Sequence, residues 1–447
     1  MIEFFIKNNE KNLKISVIGL VLELEKLFQL LDIEVITSTK SYYPEIASFF
    51  TNKELQKIND LYYTIEKNQI HHSFLEKYVN KKENNLENKF RFAETFAGCG
   101  GLSLGLENAG FNLTFVNEIE PTYCETFYFN HKLPIEQYLI DDINKLVENF
   151  DNYSLYLNDL DLVTGGPPCQ GFSMANRQRV IDDPRNQLYK AYLQFLERIK
   201  PKFFLMENVK GMSNKIDEIL SDFHYYLGDD YDIAYGLFNA KDFGVPQNRE
   251  RFFIIGNNIG VKSSEIFDAI NQEKCRKFVL KDALEGLPVL KPKNIRNNND
   301  LENEDFGFIM RLNDKINATD FETFINNNEK NPFVFNHKNR FNNERDIEIY
   351  RRLPQGANSL HDSIKDIMPY SSRNHMFKDK FFKLDEEQPC KTITSHMKFD
   401  CNMYIHPTQS RGLSPREAAR IQTFPDSFFL RGSQNKWFAQ VPTVYHA

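Results

Sequence analysis

Cys169 stands in the segment Thr164-Gly165-Gly166-Pro167-Pro168-Cys169-Gln170-Gly171-Phe172-Ser173. A thiolate at this point is a nucleophile able to attack an electrophilic carbon. Pro167 and Pro168 stiffen the backbone and fix the direction of the cysteine, while Gly171 and the polar residues after it suit a loop that moves. A lone cysteine is more often a small buried hydrophobe. Two prolines and three glycines around one cysteine are hard to explain by packing, so the segment predicts catalysis.

A second segment, Phe96-Ala97-Gly98-Cys99-Gly100-Gly101, has the composition of a ligand-binding turn. Its glycines permit a tight turn and a close backbone approach to a ligand at a helix N-terminus, although an ordinary strand–helix turn has the same texture. Glu118 lies where an acid accepts hydrogen bonds from ribose hydroxyls. Ser103 takes the place of the third glycine of the dinucleotide fingerprint, which argues against a pyrophosphate ligand and for a nucleoside without phosphates. Asp142, ahead of Ile143, is placed to reach an adenine amino group. Ile119 either packs on the adenine face or belongs to the core.

Both segments need strands to present them. Residues 1–80 read as mostly helical, with the apolar side chains of Leu20–Leu31 on one face, and 81–89 as a polar linker. From Phe90 short apolar runs alternate with helical stretches. Strands are predicted at Phe90–Phe96, Asn112–Asn117, Asp161–Thr164, Phe203–Met206, Ile233–Phe238 and Arg251–Ile255. Helices are predicted at Gly101–Ala109, Pro121–His131 and Asn186–Ile199. Strands alternating with crossover helices mean an α/β fold with a doubly wound, mostly parallel sheet. Periodicity weakens over 261–388, which reads as a smaller loop-rich domain, and order returns at 389. The expected organisation is therefore an extension and linker over 1–89, a catalytic domain over 90–260, a second domain over 261–388, and a late segment, 389–447, that returns to the first.

The 447 residues carry a net charge of −7, so nucleic acid must be met by a local basic face. Six dispersed cysteines without a Cys-x-x-Cys pair predict neither a zinc site nor a disulfide framework, and fit a reducing cytoplasm. A signal peptide and a membrane span are not expected, because no charged n-region precedes an apolar run and no run is long enough to span a bilayer.

The Pro-Cys loop and the glycine loop resemble those of the DNA (cytosine-5) methyltransferases of bacterial restriction–modification type. The resemblance continues in order through Glu207-Asn208-Val209, Gln247-Asn248-Arg249-Glu250-Arg251, Pro389–Thr394 and Leu413–Pro425, covering about residues 90–440. It implies a Rossmann-like fold, S-adenosylmethionine as methyl donor with S-adenosylhomocysteine as product, no metal, and double-stranded DNA as partner. The cofactor set would be Phe96, Gly98, Gly100, Gly101, Glu118, Ile119, Asp142, Ile143 and Pro168. In the catalytic set Cys169 adds to cytosine carbon 6, Glu207 serves ring N3, Arg251 holds O2, and Arg249 supports the loop or a phosphate. Gln247 orders the backbone. The base must leave the duplex, and Arg177, Arg179 and Arg185 are candidate phosphate ligands, diluted by Asp182 and Asp183. The region 261–388 becomes the target-recognition domain; Asn336–Arg340, followed by Arg345, Arg351 and Arg352, is locally basic, as a solvated face often is, and Arg373, Asn374 and Lys378 are candidate base or phosphate readers.

The resemblance also implies a monomer acting in the cytoplasm, with a cognate restriction endonuclease as a partner. It leaves tRNA as an alternative substrate, and a catalytically impaired DNA-binding remnant as an alternative state. The ending Gln440-Val441-Pro442-Thr443-Val444-Tyr445-His446-Ala447 departs from the family's Gly-Asn-Ala-Val-Pro turn and closing helix. A chain truncated in this way is expected to bind its cofactor weakly.

Overall fold

The computed structural model describes residues 90–131, 133, 137–168, 186–275, 277–295, 307–311, 318–327, 333–369 and 379–441. They divide into two compact units, one reaching to Phe278 and the other running from Val279.

The first unit alternates strand and helix: β1 Arg91–Thr95, α1 Gly101–Asn108, β2 Asn112–Asn117, α2 Pro121–Asn130, β3 Tyr138–Leu139, α3 Ile143–Glu148, the short α4 Ser154–Leu157, and β4 Leu162–Gly165. It continues with α5 Asn186–Ile199, β5 Phe203–Val209, α6 Ile216–Leu227, β6 Asp232–Asn239, β7 Gln247–Asn248, β8 Glu250–Asn257 and α7 Ser263–Gln272. Seven of the strands form one sheet in the order β3-β2-β1-β4-β5-β8-β6. β1 pairs in parallel with β2 and β4, and β4 with β5, whereas β8 runs antiparallel to β5 and β6. This is the mostly parallel, doubly wound α/β arrangement expected. β5 runs three residues further than its apolar pattern, because Glu207, Asn208 and Val209 stay paired with Phe253, Phe252 and Arg251.

The sheet is covered on both faces. On one, Ala93, Val163, Phe204, Met206 and Ile254 pack against Tyr189, Tyr192, Leu193 and Leu196 of α5 and Phe223 of α6. On the other, Phe92, Val116 and Leu162 join Phe127 of α2 and Tyr138. Each large side chain buried in this way contributes about 1.5–3 kcal/mol. The helix starts follow local chemistry. Pro121 opens α2 with the Glu120 side chain as its cap, and Asp142 caps α3 through the amide of Asn144 at 2.8 Å.

The first unit extends beyond the expected boundary at 260. Phe267 of α7 stacks on Phe238 at 5.5 Å and lies under Gly236, so α7 belongs to the sheet. The second unit contains α8 Leu280–Leu284, β9 Gly307–Arg311, α9 Asp320–Ile325, β10 Phe333–Lys338, α10 Glu344–Arg352, α11 Pro415–Ile421 and α12 Gln434–Gln440. The segment 389–441 groups with this second unit. Buried polar contacts hold it there. Asn336 exchanges two hydrogen bonds of 2.9 Å with the backbone of Leu430, and His337 Nδ1 meets Ser414 Oγ at 2.9 Å.

Candidate active site

The order of the sheet puts β1 beside β4, where the winding reverses. In open α/β sheets ligands bind beyond the carboxyl ends of strands at such a switch point. Both chemically distinctive segments leave the sheet there, the glycine loop after β1 and the Pro-Pro loop after β4. Gly165 makes the approach close: a Cβ on it would stand 2.5 Å from Thr95 Oγ1 and 3.1 Å from the Tyr192 ring.

The glycine loop is coiled by left-handed residues. Phe96, a half-buried non-glycine, has φ 55°, and Gly98 has φ 57°. Such a conformation costs a residue with a side chain of order 1–3 kcal/mol and persists where its surroundings impose it. Glu118 helps impose it. Its Oε2 accepts from Gly98 N at 2.7 Å and its Oε1 from Glu120 N at 2.8 Å. Burial raises the carboxyl pKa, against the pull of those amides. Each carboxylate oxygen keeps a second lone pair for a ligand donor. Ile119 is 57% exposed, so it is outside the core and presents an apolar surface beside Glu118. Asp142 reaches the same edge with its Oδ1 engaged on Asn144. The Ile143 side chain is buried in one cluster with Leu146, Leu157 and Val163, because α3 turns it into the sheet's core.

Beyond β4, Glu207 is buried and ion-paired, its Oε1 2.7 Å from Arg251 Nε. Burial pushes its carboxyl up to about 7, prevailing over the opposing charges of Arg251 and Arg249. A carboxyl poised near neutrality can donate a proton as well as accept one. Arg249 is itself buried, and its charge opposes the rise at Glu207. Gln247 is buried too, and its main-chain N–H donates to the Val245 carbonyl at 2.7 Å. Asn208 joins the two strand ends: its Nδ2 donates to the Pro167 carbonyl at 2.9 Å. Pro168 follows, half-buried. Cys169, Arg177, Arg179, Arg185, Arg373, Asn374 and Lys378 lie outside the described residues, as do 1–89 and 442–447.

Residues 90–442 match the C-5 cytosine-specific DNA methylase family. The chain belongs to that family. It is a DNA (cytosine-5) methyltransferase, with relatives among the type II methyltransferases. It is 33% identical over 344 residues to the type II methyltransferase M.FnuDI of Fusobacterium nucleatum, covering 74% of this chain and 83% of the relative. It is 30% identical over 351 residues to M1.HphI of Haemophilus parahaemolyticus, covering 77% and 80%. Among solved structures, a protein described as a DNA modification methyltransferase encoded within a prophage (E. coli) superposes with a TM-score of 0.62 at 26% identity, over 80% of this chain and 95% of that one.

The methylase has site-supporting residues that its sequence does not advertise. Glu94 on β1 is fully buried, and its Oε2 accepts from the hydroxyl of Ser103 on α1. Burial pushes the Glu94 carboxyl up to about 8, which leaves it protonated at neutral pH. Ser103, read above as a missing glycine, therefore fastens α1 to the strand. The signal was available as an acid directly between Ala93 and Thr95 on a strand that leads into the glycine loop. Asn208 carried a motif letter without a role until its partner was known.

In the second unit of the methylase the locally basic segments are tied into the fold. The basic segment Asn336–Arg340 is largely structural. His337 and Asn339 are buried, with Asn339 Nδ2 donating to Lys291 O, and Arg340 donates to the carbonyls of Met397 and Lys398 at 2.9 and 2.8 Å. Arg351 and Arg352 are paired with Glu348, and Arg352 also with Asp366, while Arg345 lies 3.4 Å from Asp346. Among the described residues no group of three or more His, Cys, Asp and Glu side chains could hold a metal ion.

Proposed function

We propose that this methylase transfers a methyl group from S-adenosylmethionine to carbon 5 of a cytosine in a specific double-stranded DNA sequence. The observation that carries the reading is Glu207: buried, held near pKa 7 between Arg251 and Arg249, and followed by the Asn208 that grips the Pro-Pro loop. A nucleoside cofactor suits the residues at the neighbouring strand ends. Glu118 offers acceptors for ribose hydroxyls, Ile119 an exposed apolar face, and Gly98 to Gly101 a backbone that a ligand can approach. Bound there, S-adenosylmethionine supplies an electrophilic methyl group.

Carbon 5 of cytosine is a weak nucleophile until the ring is activated. The Cys169 thiolate adds to carbon 6, and the electron pair displaced from the 5,6 double bond raises the density at carbon 5. Glu207 favours the addition by donating its proton to ring N3, and Arg251 balances charge developing at O2. After methylation a base takes the carbon 5 proton, the double bond re-forms, the thiolate leaves and ring N3 returns its proton to Glu207. None of this can occur inside a stacked duplex, so the base is flipped out at a cost of roughly a few kcal/mol. The kinship with type II methyltransferases supports a role in protecting DNA against a cognate endonuclease; we read the protein as a cytoplasmic monomer.

The test is tritium transfer from labelled S-adenosylmethionine to DNA and, in parallel, to tRNA, followed by mapping of the modified base. Label in cytosine of DNA is expected. Label in tRNA alone would overturn the DNA reading.

A further inference from the structure

Helices α1 and α2 meet beneath the glycine loop, and His131 stands at the meeting point. It closes α2 with its ring stacked on Phe127, centroids 4.0 Å apart at 29°. Its Nδ1 is hydrogen-bonded to Oε2 of Glu107 on α1. Its Nε2 edge faces Gly100: a Cβ built on Gly100 would collide with that nitrogen, and would lie 2.8 Å from Phe127. Gly100 has φ 93° and caps α1, so the imidazole packs against the residue at which the loop becomes helix.

The loop is thus held at two points. Glu118 takes the amide of Gly98, and His131 supports Gly100 from below. The His131 side chain is fully buried and that of Glu107 is 29% exposed. A buried imidazole next to a carboxylate is an expensive way to fill space, and an apolar ring would stack on Phe127 as well. What the pair adds is direction: Glu107 fixes the plane of the ring, and the ring fixes how far Gly100 can sink.

We propose that the Glu107–His131 pair is a positioning device for the cofactor, setting the curvature of Gly98–Gly101 without touching the ligand. This rests on the reading of that loop as the S-adenosylmethionine site. Loss of either partner lets the loop relax, and affinity for the nucleoside falls. A buried hydrogen bond left unmade is worth enough to change a binding constant by about tenfold.

The test is calorimetric titration of the full chain with S-adenosylhomocysteine, for wild type, His131→Ala, Glu107→Ala, the double variant and Glu107→Gln. Urea unfolding and cofactor-free DNA binding are measured on each. His131→Ala and Glu107→Ala are each expected to bind about tenfold more weakly, with DNA affinity unchanged. The double variant should be no weaker than the worse single one, and Glu107→Gln, which keeps an acceptor for Nδ1–H, should bind close to wild type. Unchanged S-adenosylhomocysteine affinity in a folded His131→Ala, or a double variant whose losses add, would overturn the proposal. Should His131→Ala not fold, the contrast between Glu107→Ala and Glu107→Gln decides it, equal affinities counting against. A wild type that fails to bind S-adenosylhomocysteine would instead defeat the cofactor reading itself, before any variant is compared.

Discussion

Asn208 Nδ2 donates to the carbonyl oxygen of Pro167 across 2.9 Å, while its Oδ1 accepts from Val209 N, also at 2.9 Å. One buried amide therefore ties the end of β5 to the segment that leads from β4 towards Cys169. Asn208→Ala should slow the chemical step while leaving cofactor affinity alone, because it frees the loop and not the glycine turn. A loss of about 10- to 100-fold in kcat is expected, the scale of one buried hydrogen bond left unmade. Single-turnover methylation measures it, and an unchanged rate would sink the idea.

Glu207 sets the pH profile. Its pKa is raised, so the acid form survives to neutrality and is lost as pH climbs through about 7. kcat/KM for DNA should therefore decline on the alkaline side with an apparent pKa near 7. Glu207→Gln should abolish that decline and lower the rate about 10²- to 10⁴-fold. Stability carries the same sign: ionising Glu207 destabilises the fold, an effect absent below the ordinary value of 4.5 and complete above about 7. Relative to wild type, Glu207→Gln should thus be more stable at pH 8 than at pH 5 in urea titrations.

Cys169→Ser should lose methyl transfer and keep its fold, since a neutral hydroxyl is a far weaker nucleophile than a thiolate. DNA with 5-fluorocytosine at the target should trap the wild-type protein covalently, because fluorine cannot leave as a proton does. Peptide mapping identifies the attached residue, and an adduct on any other side chain would refute the role of Cys169.

Glu118→Ala removes the acceptor of the Gly98 amide as well as the expected ribose partner. The Michaelis constant for S-adenosylmethionine should rise about tenfold or more with a much smaller change in kcat, the signature of lost uniform binding. Steady-state kinetics at saturating DNA checks this, and an unchanged constant would make Glu118 purely structural.

Arg420 in the second unit donates from Nε and Nη2 to Asp426, both at 2.7 Å, and from Nη1 to Glu285 O at 2.8 Å. Both side chains are buried. Arg420→Ala would strip the buried Asp426 carboxylate of its ion-pair partner, leaving it the Asn326 Nδ2 donor at 3.0 Å and the nearby Arg416 charge, at a cost of about 3 kcal/mol. Chemical unfolding should show it, and a loss below about 1 kcal/mol would mean that the cluster relaxes freely.

The sequence by itself determined the family and the frame. Gly-x-Gly-Gly after an apolar strand, Pro-Pro-Cys after another, and Glu-Asn-Val and Arg-x-Arg in order are local patterns, and the strand–helix alternation around them fixes a parallel sheet through periodicity alone. Asn186–Ile199 was legible to the residue because its apolar face repeats at helical spacing. Tertiary structure decided what depends on partners distant in the chain. That Ile143 is core while Ile119 is surface follows from which way α3 turns, a matter of packing. That Asn336–Arg340 is scaffold follows from carbonyls at Lys291, Met397 and Lys398. The poise of Glu207 near neutrality is likewise absent from its letter. It arises from the balance between burial and two arginines brought beside it by the antiparallel return of β8, and such a balance exists only once the strands are paired.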